Sequence, residues 1–245
     1  MSERRVALIT GGARGIGHGI GVALAADGWD IGFCYRTSED DALRTCAAIV
    51  DAGGRARAVR VDVSEPAEVE RFVAEVEADL GRIDAVVNCA GPYHRAKLLE
   101  ETPEGWRSMF ANNLDPVFFT AKLATAGMIE RGWGRILSFS MAPADRVQAN
   151  TTVTAHFIAK MGVLALSRAL AKELAPHGVT VNCISPGFVD SKSAPEAELA
   201  KMTKRIPAKH VGTVDDCVAA ARYFLSDEAS YVTGSNLVVS GGWGL

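Results

Sequence analysis

Seven short apolar or β-branched runs punctuate this chain: RVALIT (5–10), DIGFCY (30–35), RARAVRVD (55–62), IDAVVNCA (83–90), GRILSFS (134–140), VTVNCIS (179–185) and SNLVVSGG (235–242). Between them lie segments such as GIGHGIGVALAADG, SEDDALRTCAAIVDAGG and EPAEVERFVAEVEADLG, with apolar residues at i, i+3, i+4 and i+7, the spacing of a helix with one buried stripe. Alternating strands and helices predict βαβ units, an α/β fold with a parallel sheet. The strands lack polar alternation, so both faces of the sheet are predicted to be covered by helices.

Glycines agree with this register. Gly28, Gly53, Gly81 and Gly178 each follow a helical segment, where a left-handed residue ends the helix. Ser64, Glu65 and Pro66 read as the cap and first turn of another helix. No linker, charge block or repeat divides the chain, so residues 1–245 are read as one domain.

At 245 residues and 48% hydrophobic, the chain can bury a full core. A net charge of −3 with scattered Lys and Arg leaves no basic stripe, which argues against nucleic acid as a partner. Five cysteines without CxxC spacing, three inside apolar runs, read as reduced thiols in a cytoplasmic protein. No run approaches the ~18 apolar residues of a membrane span. No cluster of histidine and carboxylate points to a metal.

The stretch TGGARGIG, from Thr10 to Gly17, joins the first strand to the first helix. Glycines there let the backbone approach a pyrophosphate and aim helix N-terminal N–H groups at it. A loop rich in glycine for steric reasons alone is the alternative. Further motifs follow in order: VDVS (61–64), NCAG (88–91), Asn113 in NNLDPVFFTA, GRILSFS, Lys160 before MGVLALSRALAKELAPHGVTVNCISPGFVDS, and YVTGSNLVVSGGW (231–243). With these motifs the chain resembles the short-chain dehydrogenase/reductase family, in particular its 3-oxoacyl-carrier-protein-reductase-like members, from Val6 to about Gly242.

The resemblance implies a single Rossmann domain, its doubly wound seven-stranded parallel sheet ordered 3-2-1-4-5-6-7. It implies that Gly11, Gly15, Ile16 and Gly17 cradle the pyrophosphate of a nicotinamide dinucleotide. Asp62 and Val63 would contact the adenine, and Asn88, Ala90 and Gly91 would flank the adenosine ribose. Lys160 would hold the nicotinamide ribose, while Pro186, Gly187, Val189 and Ser191 would line the nicotinamide and pyrophosphate; Ser191 stands where threonine is usual. A carboxylate ending the second strand would select NAD, but here Tyr35, Arg36, Thr37 and Ser38 offer a cation and hydroxyls. Arg14 adds a second cation, so NADP(H) is the predicted cofactor.

The usual proton donor of the family is a tyrosine four residues before the lysine, and that position holds His156. The slot seven residues before it, used by enoyl-reductase variants, holds Val153. The family's serine position falls on Met141, with Ser140 one place earlier. Three proton sources stay open: His156 as an imidazolium acid, an acid from the loop after strand four, such as Tyr93 or His94, or no side-chain acid at all. His156 as a mere packing residue is the alternative to the first. Asn113 would hold a water linked to the lysine, with Asn112 leaving a one-residue ambiguity.

The leading expectation is an NADPH-dependent reductase of a small or medium substrate with a C=O, conjugated C=C or C=N bond. A catalytically silent NADP-binding sensor or subunit, and a non-redox cyclase or isomerase, are the alternatives. Residues 188–211 are expected to form a lid over the substrate. Helices near 103–131 and 152–175 are expected to pair in a homodimer or homotetramer.

Overall fold

The structure is a computed structural model that describes residues 4–190 and 196–244, the side chains of 196–198 excepted. Among the described residues nine strands form: β1 (Val6–Thr10), β2 (Asp30–Tyr35), β3 (Ala56–Arg60), β4 (Ala85–Asn88), β5 (Gly134–Phe139), β6 (Val179–Pro186), β7 (Val189–Asp190), β8 (Gly212–Thr213) and β9 (Asn236–Val239). Seven build one parallel sheet in the order β3-β2-β1-β4-β5-β6-β9, which is the expected order with β9 as seventh strand. The other two, β7 and β8, pair in a small parallel ribbon that the periodicity did not predict, being two residues each.

Eight α-helices accompany them among the described residues: α1 (Gly15–Ala26), α2 (Glu39–Asp51), α3 (Pro66–Leu80), α4 (Pro103–Asn113), α5 (Asp115–Arg131), α6 (Thr154–Leu174), α7 (Glu196–Thr203) and α8 (Val214–Leu225). Alternate side chains of each central strand enter different cores, because successive Cβ atoms of a strand point to opposite faces. In β1, Ala7 and Ile9 pack with α1, α2 and α8, while Val6 and Leu8 pack with α3, α5 and α6. Residues such as Leu8 and Ile9 are fully buried, and each contributes roughly 1.5–3 kcal/mol.

The four glycines expected to end helices all have positive φ, from +72° at Gly178 to +94° at Gly53 and Gly81. Helix α3 starts at Pro66 as expected, but its cap is Glu65 and makes no side-chain hydrogen bond. Ser64 instead turns its hydroxyl back to Asp62 Oδ1 at 2.7 Å. The region 103–131 is broken: α4 stops at Asn113 and α5 restarts at Asp115, with Pro116 in its first turn, which has no N–H to continue the ladder. All five cysteines are free; Cys89 lies one residue beyond β4 and is only half-buried, against the expectation for an apolar run. Among the described residues no helix is long and apolar enough to cross a membrane.

Candidate functional site

Parallel strands end on one edge of the sheet, so the loops after β1, β2, β3 and β4 converge there. They border a cavity of about 520 Å³ lined by Gly11, Ala13 to Gly17, Tyr35 to Ser38, Val61 to Val63, and Cys89 to Pro92. Close packing explains the glycines of the first loop. A Cβ on Gly17 would lie 2.4 Å from the Gly11 carbonyl oxygen, and one on Gly12 would lie 2.5 Å from Phe33 Cβ. Thr10 Oγ1 accepts the N–H groups of Cys89 and Ala90, each at 3.1 Å, joining this loop to the one after β4. The first turn of α1 holds no acidic residue, so its partial positive charge stays available to an anion.

A brace behind the loop was not foreseen. Thr45 donates its hydroxyl to the Ala13 carbonyl at 2.8 Å, so its oxygen accepts from His18 Nδ1, also at 2.8 Å. The hydroxyl has one proton and it is committed, which fixes a proton on His18 Nδ1. Burial pushes the His18 ring below its ordinary value, against a smaller upward pull from Asp41.

Arg36 and Arg14 are exposed at the far end of the cavity. Arg36 Nη1 lies 3.6 Å from Asp62 Oδ2. Burial alone would raise the Asp62 carboxyl, but two hydrogen bonds from Ser64, together with Arg36, hold it below the usual carboxylate range. Asn88 is buried rather than cavity-lining: its amide reaches Ser138 Oγ at 3.3 Å, and its oxygen lies 2.8 Å from Thr120 Oγ1.

Beyond the cavity, toward α6, the sheet edge carries the second half of the site. Lys160 is 6% exposed, and its Nζ donates to the Phe139 carbonyl at 2.8 Å. Burial pushes its ammonium down to about 8. Asn113, not Asn112, faces it. The Asn113 amide donates to the carbonyls of Pro92 and Met109, while its Oδ1 is buried without a partner among the described residues. A Cβ on Gly91 would lie 2.5 Å from that oxygen and 3.1 Å from Lys160 Nζ, so glycine keeps the gap between them open. Asn112 instead bonds back to Ser108.

His156 is 8% exposed, and burial, with the charges of Lys160 and His94, pushes it down to about 4. Both influences favour the neutral ring, which weighs against His156 as an imidazolium acid. Its Nδ1 is buried without a partner, and Tyr93 packs edge-on against it, centroids 5.5 Å apart. Ser140 donates its hydroxyl to the Lys160 carbonyl at 2.8 Å, which ties α6 to the sheet and leaves no proton to donate to a substrate. Met141 packs into a cluster with Val117 and Phe157, and Val153 is the residue before α6.

The loop after β4 is fastened to the segment before α6 by Ala96 N–H to Thr152 O and Leu98 N–H to Thr151 O, both 3.0 Å. This brings His94 near His156. His94 Nε2 lies 2.8 Å from Glu101 Oε2. Glu101 had no signal in the sequence, since its role depends on the fold of that loop.

Pro186 ends β6 and its carbonyl accepts from Ala142 N–H at 2.9 Å, while Gly187 packs so closely that a Cβ would lie 2.8 Å from Ser240 Cβ. Val189 is in β7, and neither it, Pro186 nor Gly187 lines the cavity. Ser191 lies outside the described residues.

Residues 11–244 match the family described as Enoyl-(Acyl carrier protein) reductase. The chain is 32% identical to the 3-oxoacyl-[acyl-carrier-protein] reductase of Escherichia coli, over 98% of its own length and 97% of the relative's. It is 35% identical to the acetoacetyl-CoA reductase of Shinella zoogloeoides, over 97% and 98%. Among solved structures, a putative short-chain alcohol dehydrogenase from Sinorhizobium meliloti superimposes with a TM-score of 0.91 at 31% identity, covering 98% of this chain and 96% of that one.

Proposed function

The chain belongs to the short-chain dehydrogenase/reductase family, and from that premise we propose that it is an NADPH-dependent reductase of small or medium organic substrates, carbonyls first. The observation that carries the reading is the pairing of a nucleotide-sized cavity with buried Lys160 and Asn113, whose Nζ and Oδ1 stand just behind Gly91 of its lining. A protein that only sensed the nucleotide has no use for a desolvated lysine and an unpartnered amide oxygen there, both costly to bury.

The residues present fit the cofactor. Backbone N–H groups from Gly11 to Gly17 would hold the pyrophosphate, Arg14 and Arg36 with Ser38 the 2′-phosphate, and Asp62 and Val63 the adenine. Ala90 and Gly91, backed by buried Asn88, would receive the adenosine ribose, and Lys160 the nicotinamide ribose. Pro186, Gly187, Val189 and Ser191 would border the nicotinamide. When bound, NADPH supplies the hydride. Lys160 keeps one proton on the Phe139 carbonyl and has others to offer the ribose. His156, neutral and unpartnered at Nδ1, offers a hydrogen bond to a substrate without adding charge beside Lys160.

A carbonyl is preferred because two relatives are named for reducing β-oxo acyl thioesters, 3-oxoacyl-carrier and acetoacetyl-CoA. A cationic C=N substrate would sit unfavourably beside the Lys160 ammonium. The reading includes a lid over 188–211 and a homodimer or homotetramer, supported by the half-exposed apolar side chains Phe118 and Ile129 on α5 and Ile158 on α6.

Single-turnover oxidation of bound NADPH against panels of ketones, enones and cyclic imines tests the reading. Turnover of ketones, with NADPH bound more tightly than NADH, is the expected result. Tight NADPH binding with no oxidation by any panel would favour a catalytically silent protein instead.

A further inference from the structure

With both tyrosine slots empty and His156 neutral, reduction of a carbonyl at this site lacks the acid that its product oxygen requires. The loop after β4 supplies a candidate. Glu101 holds His94 by its Nε2 at 2.8 Å, and Glu101 is itself fixed, only 11% exposed at its side chain, with Oε1 accepting the Thr102 N–H at 3.1 Å. A carboxylate bonded to one imidazole nitrogen orients the ring and stabilises its cation, leaving the other nitrogen for proton transfer. Nδ1 is that other nitrogen, and no hydrogen bond among the described residues engages it. His94 is 38% exposed at its side chain, so it can recover protons from water. It is also close enough to His156 for its charge to act on that ring.

Tyr93, its neighbour, is a weaker candidate. More than half of it is exposed, its ring is engaged with His156, and no hydrogen bond among the described residues orients its hydroxyl.

We propose that His94, held by Glu101, is the proton donor of this site, delivering its Nδ1 proton to the oxygen of a carbonyl substrate. The proposal rests on the NADPH-reductase reading above. The substrate carbon gains a hydride from NADPH, which is oxidised to NADP+, and the C=O π pair moves onto oxygen. That oxygen takes the proton from His94 Nδ1, and the neutral ring regains one from solvent. The groups that face His94 are Glu101, His156 with Lys160 behind it, and the chain neighbours Tyr93 and Arg95.

The test compares wild type with His94→Ala, His94→Gln and Glu101→Gln, using whichever ketone the wild type reduces best. Loss of a general acid lowers kcat by about 10²–10³-fold, and His94→Ala and His94→Gln should both show this, with the KM for NADPH unchanged. Added imidazole should restore about 10-fold of the His94→Ala loss, which a purely structural role for His94 could not produce. Glu101→Gln should lower kcat by about 10-fold, as the loss of an orienting partner does. In the ligand-free protein, a ¹⁵N–¹H spectrum should show His94 protonated and hydrogen-bonded at Nε2, with that signal lost in Glu101→Gln.

Retained kcat in both His94 variants, or no imidazole rescue, overturns His94 as donor while leaving the reductase reading intact. A wild type that oxidises NADPH with no ketone overturns both. Should His94→Ala bind NADPH poorly or melt early, His94→Gln, which keeps most of the side-chain volume, decides by its kcat alone.

Discussion

The two edges of this parallel sheet are built from the same kinds of residue and finished in opposite ways. At the N-terminal edge each carboxylate is answered. Fully buried Asp84 accepts the Val6 N–H at 2.9 Å and pairs with Arg82 at 2.6 Å and Arg131 at 3.3 Å; Asp30 pairs with Arg55 at 2.8 Å. Asp227 accepts from Arg5 and from Trp133 Nε1, and the guanidiniums of Arg5 and Arg135 stack over the Trp133 ring at 4.0 and 4.3 Å. At the C-terminal edge Asn113 Oδ1 and His156 Nδ1 are buried unanswered, and Lys160 has one carbonyl for three protons. A buried polar atom without a partner costs about 1–3 kcal/mol. Thr180 Oγ1 is such an atom near the start of β6, but the C-terminal edge gathers two of them beside a buried lysine, while Asp84, Asp30 and Asp227 of the other edge are all paired, and that gathering fits an edge organised for something that arrives from outside.

The sharpest way to break this contrast is Lys160→Met. If Lys160 acts on bound cofactor and substrate, kcat should fall by about 10²–10³-fold, the usual cost of losing a fixed electrostatic group at a reacting centre. Stability should change little, because the variant removes a desolvated charge while leaving only the Phe139 carbonyl unpaired. Steady-state kinetics with a melting curve reads both. A large loss of stability with kcat retained would make Lys160 a structural residue like those of the other edge.

Next in size is the pH dependence carried by His156. Its folded value is about 4 against an ordinary 6.5, so between those limits the unfolded chain binds the extra proton and stability falls as pH falls. The swing is about 3 kcal/mol and is complete below pH 4. His156→Phe should remove that share, flattening the denaturation midpoint between pH 6.5 and 4. Asp227 of the opposite edge acts in a different window. Asp227 is held low against its burial by Trp133 and Arg5, so its contribution is lost only at more acid pH, as the solution passes through its depressed folded value. Urea melts at pH 7, 5.5 and 4.5 separate the two, and an unchanged slope in His156→Phe would refute the assignment.

Arg36→Gln probes the outer end of the cleft. Hydrogen bonds to a charged group contribute about 1.5–3 kcal/mol, so the KM for NADPH should rise by about 10-fold or more while that for NADH stays level. Equal changes for both nucleotides would mean that Arg36 serves Asp62, 3.6 Å away, rather than a phosphate.

What the sequence made legible follows the same division. Strand order, glycine turns and the nucleotide loop are written in local pattern: apolar runs, a Gly after each helix, TGGARGIG between β1 and α1. The neighbours of Lys160 are not. His156 could be counted from Lys160, but its lowered value comes from burial, from Lys160 one turn along the same helix and from His94 on the loop after β4. Ser140 seemed free to act only because a hydrogen bond to the Lys160 carbonyl is invisible in sequence. Glu101 meets His94 only because two backbone hydrogen bonds fasten the loop after β4 to the start of α6. Non-local geometry decides protonation, and a one-dimensional pattern carries little of it.

The smallest expected effect belongs to the brace behind the nucleotide loop. Thr45→Val keeps the shape but removes the hydroxyl that donates to Ala13 O and accepts from His18 Nδ1. One lost hydrogen bond is worth about 1 kcal/mol, which should appear as a roughly 5-fold weaker Kd for NADPH with kcat unchanged. Loss confined to binding would mean the loop is preorganised for its ligand by contacts that never touch it. If Kd does not move, the glycines alone hold the loop, and the C-terminal edge owes its readiness to backbone packing around Gly17 and Gly11 rather than to side chains.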